Sequence, residues 1–328
     1  MLNKKILVPI TIAAILAAII LPIIFTGYSA AKRAEAEFAA QNYASAAESF
    51  EQAARLLIWR DDLWERAGIA AALNKNPTEA IDYFGHTSRL SEEGWMWLGS
   101  SHYYLGDLDS AITTFEQGLQ FYDSPDLYSL LASAYRQQKD WIAEQDALEN
   151  QLLLDAEDVY ARYRLGLLLT VLEPEQALTN LMLASSLDPE TDPAVQTLRA
   201  ALNLSATQPD ASQQMVTIGR ALGLVQEWDL SIAAFEKAIT LDTENAEAWA
   251  WLGEVNQQTD GDEALIHLER ALSLNPNSAV VRGLRGLYFQ RIGNFRQALI
   301  EFQFAAVLEP NDPTLHVAVG EAYARRAT

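Results

Sequence analysis

"LDSAITTFEQGL", residues 108–119, puts a small residue at Ala111, a phenylalanine four positions on at Phe115, and a second small residue three positions later at Gly118. Intervals of four and three return to one face of an α-helix. The same frame recurs in "YASAAESFEQAA" (43–54), "WDLSIAAFEKAI" (228–239) and "FRQALIEFQFAA" (295–306). The first of these carries Ala46, Phe50 and Ala53, and the last Ala298, Phe302 and Ala305. Small side chains let two helix backbones approach closely, and the ring fills the gap they leave.

The frame is periodic. Its first small position falls at Ala46, Ala80, Ala111, Glu144, Ala177, Ser231, Ala264 and Ala298, at intervals of 34, 31, 33, 33, 54, 33 and 34 residues. Upstream of each, or of the equivalent place, a second apolar face ends at Gly68, Gly99, Ala132, Gly166, Gly219, Gly253, Gly286 or Gly320. Each unit therefore reads as two short amphipathic helices. The turn joining them is rich in Gly or Asp ("LGDLD", "TDGDE", "IGNF"), and breakers such as "LDPETDP", "LNPNS" and "LEPNDP" close many units. A lone helix pair cannot bury its apolar face, so such units must stack.

The pattern resembles the tetratricopeptide repeat (TPR), a 34-residue unit with a W-x2-L-G-x2-Y…A-x3-F…P signature. The stretch from Val280 to Pro310 carries Gly286, Gly293, Ala298, Phe302, Ala305 and Pro310 at that family's positions, and the resemblance extends over nearly all of 34–328. Departures are local: Glu144 and Ser231 stand where Ala is usual, Leu148, Leu181 and Leu268 stand for Phe, and the unit around Leu165–Ala177 has a short turn. The resemblance implies an all-α, right-handed solenoid of helical hairpins whose first helices line a concave surface.

The interval of 54 is one unit plus 20 residues. The surplus reads as a helix from Pro193 to Leu204 and then the turn-forming stretch "SATQPDASQ" (205–213). The organisation expected is a short tail (1–5), a membrane helix (6–25), five units over 34–191, an extra helix and loop over 192–211 that either bridges or hinges, and three units with a capping helix over 212–328. Asn203-Leu204-Ser205 matches a glycosylation acceptor, a triplet that arises readily by chance.

The first segment, "ILVPITIAAILAAIILPIIF" (6–25), is twenty residues without charge, with Pro9 and Pro22 near its ends. As a helix it would span roughly 30 Å, the thickness of a bilayer core. Two readings stand: an uncleaved anchor, or a signal peptide cut after Ala31, against which its length counts. Lys4 and Lys5 precede it and Lys32 and Arg33 follow, so the positive-inside rule nearly ties. The dense acids beyond Arg33 favour a cytoplasmic N-terminus and an extracytoplasmic array.

Composition narrows the function. The net charge is −21, and the first 33 residues hold four of the 23 bases and none of the 44 acids. The array is thus strongly acidic and repels phosphate backbones, which excludes nucleic acid as a partner and favours a basic or partly apolar protein or peptide. Without cysteine there is no disulfide, thiolate metal site or thiol nucleophile. His86, His102, His267 and His316 fall in four separate units without H-E-x-x-H spacing, and no phosphate-binding glycine loop or G-x-S-x-G occurs. The acidic "DGDE" (260–263) and "DLD" (107–109) lack the ligand order of a calcium loop. The sequence points to a non-enzyme with no cofactor, no metal and no small-molecule substrate.

Two near-identical pentapeptides, "WMWLG" (95–99) and "WAWLG" (249–253), suggest where recognition occurs. Trp95 and Trp249 take the repeat's first Trp position and pack within their own unit. Trp97 and Trp251 point about 200° away, towards either the groove or the neighbouring unit. On the groove reading they are joined by Glu93, Tyr104, Glu247 and Glu254, and by Glu65, Ile69, Met96, Tyr103, Arg136, Tyr160, Tyr163 and Arg220. Large aromatics of this kind make binding hot spots. The first helices lack the Lys and Asn set with which some TPR domains hold a C-terminal carboxylate, so that mode is not expected. The function expected is a membrane-anchored scaffold in envelope or complex assembly. The alternatives are a secreted binding protein and a non-catalytic subunit of a membrane enzyme or secretion complex.

Overall fold

The computed structural model describes the backbone of residues 4–259 and 263–326 and the side chains of residues 17–258 and 263–325. Among these residues every regular element is helical. The chain separates into two compact units, Met1–Asp158 and Val159–Thr328.

Unit one comprises α1 (Lys4–Ala39), α2 (Tyr43–Leu56), α3 (Asp62–Leu73), α4 (Pro77–Phe84), α5 (Glu92–Tyr104), α6 (Leu108–Leu119), α7 (Pro125–Gln138) and α8 (Trp141–Leu154). Consecutive helices pair as α1/α2, α3/α4, α5/α6 and α7/α8, and each pair packs on the next. The turn inside each pair places one residue in the left-handed region: Gln41, Lys75, Gly106 and Lys139. Side chains of Asn76, Ser91, Asp107, Ser124 and Asp140 accept the first free backbone N–H groups of the helices that follow them.

The small–Phe–small frame forms the core. Ala46, Phe50 and Ala53 are fully buried, and Ala111 and Phe115 repeat them. In the second and third pairs the ring meets a glycine on the first helix of its own pair. A Cβ added at Gly68 would lie 2.8 Å from the Phe84 ring, and one at Gly99 only 2.3 Å from the Phe115 ring. Only glycine allows these two backbones to come so close with a phenyl ring between them.

The N-terminus departs from expectation. In place of a separate helix over 6–25 there is one continuous 36-residue helix, α1, which also supplies the first helix of the first pair. Residues 6–16 of the expected span lie outside the residues whose side chains are described, and among the described residues no helix is long and apolar enough to cross a membrane. The fusion has a plain cause. Nothing between Phe25 and Arg33 breaks a helix, since Gly27 is used for packing against Leu57 and not for a turn.

Unit two comprises α9 (Val159–Leu172), α10 (Pro174–Leu187), α11 (Asp192–Ser205), α12 (Ala211–Leu224), α13 (Trp228–Leu241), α14 (Ala246–Thr259), α15 (Ala264–Leu274), α16 (Ala279–Arg291), α17 (Phe295–Leu308) and α18 (Pro313–Arg326). The hairpin α9/α10, counted above with the first sub-array, lies in this unit. The extra helix α11 packs on both α10 and α12. The motif "LGLLLTV" (165–171) makes α9 apolar all round, and it is buried all round, against α10 and against α12 and α13. Two polar contacts fix it there. Arg164, almost fully buried, faces Glu227 at 3.5 Å, and Lys237 Nζ donates to the carbonyls of Val171 and Leu172 at 2.6 and 3.3 Å. The lysine satisfies carbonyls that the end of α9 leaves without helical partners.

The glycine–ring contact recurs as Gly219 with Phe235 and Gly286 with Phe302, where an added Cβ would sit 2.7 and 2.5 Å from ring atoms. Gly166 and Gly253 meet Leu181 and Leu268 instead, so leucine fills the same role at closer backbone approach. Ser231, at an alanine position, donates to the Gly219 carbonyl at 2.7 Å and is therefore tolerated in the core. Glu301 on α17 is likewise buried, held by Arg282 at 3.0 Å and by Arg285, which also pairs with Glu269 at 2.6 Å.

Two outcomes follow for unit two. Gly286→Ala should lower stability by about 1–3 kcal/mol through overpacking against Phe302. Gly320→Ala, at the same repeat position on α18 but with nothing within 4 Å, should raise it by up to about 1 kcal/mol through helix propensity. Chemical denaturation of the two variants against the parent decides both. His267 on α15 is half-buried beside the Trp249 ring and accepts from the Asn256 amide at Nδ1, 3.1 Å away. Burial holds its pKa below the ordinary 6.5, against the opposing pull of Glu263 and Glu236. The unfolded chain therefore binds this proton more readily, and stability should fall as pH drops below about 6.5. In His267→Gln, melting curves across that range should lose this slope.

Candidate functional site

The repeat carries its first Trp inward, as expected. Trp95 stacks on Phe121 with ring centroids 6.3 Å apart, and Trp249 donates from Nε1 to the Thr243 carbonyl at 3.0 Å. The second Trp of each pair packs on a core cluster in both units, and Trp251 in addition borders two cavities.

In unit one, Trp97 is half-buried and packs on the core cluster that holds Phe84 and Leu90. Glu65 is buried and accepts the backbone N–H of Ser91 at 3.0 Å, so it ties α3 to the start of α5, and Ile69 is buried in the same core. Met96 and Tyr103 are half-buried, while Glu93 and Tyr104 are exposed. Tyr103 and Tyr104, in edge contact at 6.1 Å, border a cavity of ≈ 190 Å³ with Ser100 and Leu130. Arg136 lies half-buried on α7. These residues form a packed wall with one small indentation.

In unit two, Trp251 forms the partition between two adjoining cavities. One, of ≈ 220 Å³, is bounded by α12, α13 and α14 through Gly223, Leu224, Trp228, Phe235 and Val255. The other, of ≈ 380 Å³, is bounded by α16 and α18 through Val280, Gly283, Leu287, Leu315 and Ala318. Arg220 lines both, with its guanidinium carbon 4.8 Å above the Trp251 ring. The cation thereby rests on the negative face of the indole.

The charges around this partition are sorted. Glu254 is held by Arg291 in a two-pronged pair, one prong measuring 2.9 Å, and Glu247 accepts from Gln213 at 3.5 Å. Both acids are engaged inside the fold. Arg220 has no carboxylate partner among the described residues, and Trp251 Nε1 is buried without an acceptor. Trp251 and the exposed Arg220 guanidinium thus meet two apolar-walled hollows at one place, with Glu254 on the wall of the first hollow and Glu309 and Asp312 on that of the second. Tyr163, half-buried on α9, has its phenol pKa raised by burial and by Glu227, while Tyr160 is exposed; neither lines these cavities.

The structure thus brings together Trp251, Arg220 and Glu254 of the sequence candidates. Trp228, Leu224, Val280 and Leu315 complete the walls and were not anticipated. Trp228 opens a second helix, which the repeat pattern assigns to packing, and Leu315 lies on the capping helix. The signal that could have found them is size: both place a large apolar side chain where the repeat does not need one. Among the described residues no cluster of His, Asp or Glu could hold a metal.

Together, these features define an all-helical repeat protein built from stacked hairpins, with side-chain hollows along its first helices. Tetratricopeptide-repeat family models match residues 32–84, 92–123 and 216–279, and over those stretches the chain carries tetratricopeptide repeats. A stretch of 85 residues is 32% identical to anaphase-promoting complex subunit 3 of Schizosaccharomyces pombe, covering 26% of this chain and 13% of that protein. The match thus spans about an eighth of that relative's length. Among solved structures, the chain is similar to the C-terminal part of a TPR repeat-containing protein from Cytophaga hutchinsonii (14% identity, 88% of this chain and 98% of that one, TM-score 0.44). It is also similar to the TPR2AB domain of yeast Sti1, solved as a complex with pHSP90 (12% identity, 92% and 98%, TM-score 0.36).

The packing of the two tryptophans separates them experimentally. Trp97→Ala should cost about 2 kcal/mol of stability, the price of a half-buried ring. Arg220→Ala should change the unfolding midpoint by no more than about 0.5 kcal/mol equivalent, since its guanidinium closes no buried ion pair. Urea titration of each variant reads both.

Proposed function

We propose that this protein is a non-catalytic scaffold that binds a protein segment at the Trp251 partition of unit two. The observation that carries the reading is Trp251, with the exposed Arg220 guanidinium over its ring, set between two apolar-walled hollows. A segment that suits them bears a carboxylate or a free backbone carbonyl between two apolar side chains. The acceptor meets the donors, and each apolar side chain fills one hollow. The chain's overall acidity favours basic residues elsewhere in the partner, beyond the immediate reach of Arg220. Glu309 and Asp312, on the wall of the second hollow, are placed to meet such basic residues.

A second element of the proposal is attachment of unit one to a bilayer through residues 6–25. It is supported by the uncharged sequence of that stretch and by the exposure of Ile19, Ile20, Leu21, Ile23 and Phe25 on α1. Scaffold and anchor together describe a protein that holds its partner near a membrane.

Selection from a random peptide library with the full chain in detergent tests the site. Selected peptides should carry an acidic residue flanked by apolar ones. Trp251→Phe, which keeps the ring and deletes the N–H, and Arg220→Ala should each weaken binding by about tenfold, equivalent to about 1.4 kcal/mol. Peptides that bind both variants as tightly as the parent would remove Trp251 and Arg220 from the site.

A further inference from the structure

The helix α1 and the turn between α2 and α3 share a surface whose polarity changes in a fixed order along the helix axis. From Ala17 to Phe25 there is no charge, and all side chains but Ile24, which packs on the core, are exposed: Ile19 is 58%, Leu21 62% and Phe25 76% exposed. The closest helix contact follows at Gly27, which lies against Leu57; a Cβ there would be 2.7 Å from the leucine. That contact pins residues 57–60 at one height on α1. Leu57 is fully buried, but the next two residues turn outward, Ile58 at 79% and Trp59 at 56% exposure. Tyr28 is half exposed and lies near Arg60, whose guanidinium is held charged by its hydrogen bond to Asp62.

Charge begins directly below this collar. Arg60 pairs with Asp62 at 2.6 Å, Arg33 is held by Ser49 at 3.0 Å and by Gln52, and Glu35 pairs with Arg66. Over eight residues of helix, about 12 Å, the surface thus passes from aliphatic, through Phe25, Tyr28, Ile58 and Trp59, to charged. This is the order of environments across a bilayer boundary, where Trp and Tyr prefer the headgroup level and cations lie just outside it.

We infer that Ile58 and Trp59 dock in the headgroup layer of a phospholipid bilayer beside α1, giving unit one a second membrane contact. The inference rests on the anchor reading above. The occupant is lipid because this exposed face directly follows the uncharged sequence 6–16 in the chain and because the aromatic and charged levels are stacked along a single axis. With two points of contact, unit one cannot swivel freely about α1, so its stacked hairpins stand at a fixed angle to the membrane.

The chain contains no cysteine, so a single introduced thiol is a unique label. The full chain is reconstituted in phosphatidylcholine vesicles with an environment-sensitive fluorophore at Ile58→Cys, at Trp59→Cys as a duplicate, at Phe25→Cys, or at Leu153→Cys on α8, which is 82% exposed. Labels at 58 and 59 should show blue-shifted emission, lose quenching by aqueous iodide and gain quenching by a headgroup nitroxide, whereas the label at 153 should do none of these. Iodide quenching at 58 and 59 equal to that at 153 overturns the docking. If the label at 25 is then still protected, the anchor survives alone; if it too is quenched, both fall. Protection at 58 that disappears as protein is diluted in lipid assigns the surface to a second copy of the chain and also overturns the proposal.

Discussion

The fold depends on one contact: a ring or branched side chain on the second helix of a pair pressed onto a glycine of the first. Gly68 with Phe84, Gly99 with Phe115, Gly219 with Phe235 and Gly286 with Phe302 are the same interaction made four times. The glycine sets how near the two backbones come, and the ring removes the space that a missing side chain would leave. Because packing density is already that of a crystal, the distance has no slack. It fixes the angle of each hairpin and therefore which residues of each first helix face away from it. Trp251 and Arg220 owe their position to this spacing, since both lie on first helices whose opposite faces are committed to Phe235 and Leu268.

The same constraint explains why the interruption in the repeat does not leave a gap within unit two. Residues 192–205 form α11, which takes the place against α12 that a second helix would normally occupy. The first helix of the preceding hairpin, α9, then lies along α13. A helix apolar on every side is stable only if every side is covered, and α9 meets that condition with α10, α12 and α13. Arg164 and Lys237 set its register, because a buried cation must find its acceptor at one place along the neighbour. Breaking such a contact is costly even where forming it contributes little net stability.

Much of this was legible in the sequence, for a physical reason. Close helix approach restricts residue size at fixed intervals, and size survives as a pattern of letters. The frame at Ala111, Phe115 and Gly118 reports the hairpins because few residues of other size fit there. Polar exceptions were not legible. Glu301 and Ser231 sit at core positions, and their acceptability depends on Arg282 and on the Gly219 carbonyl, which are near in space but not indicated by any interval. Glu65 was assigned to a groove by projection alone, yet its carboxylate is used by the Ser91 backbone. The continuity of α1 was missed because an apolar run and an amphipathic helix read as two elements when no breaker is required between them.

The site was legible in part for the same reason. The paired tryptophans gave identical letters in two places, and helical angle alone left both between groove and neighbour. What separates them is context that the pentapeptide does not contain. Trp97 packs on the core cluster that includes Leu90 and Phe84. Near Trp251 the corresponding space is bounded by Gly223 and Gly283, whose small size leaves it open on both sides. A Cβ at Gly283 would meet Leu315 only at 3.6 Å, an ordinary contact, so packing does not demand glycine there. Where Gly99 or Gly286 is required by a ring, Gly283 is not, and its effect is to widen the hollow beside Trp251. A glycine that packing does not need thus marks the recognition surface, while one that packing cannot spare marks the core.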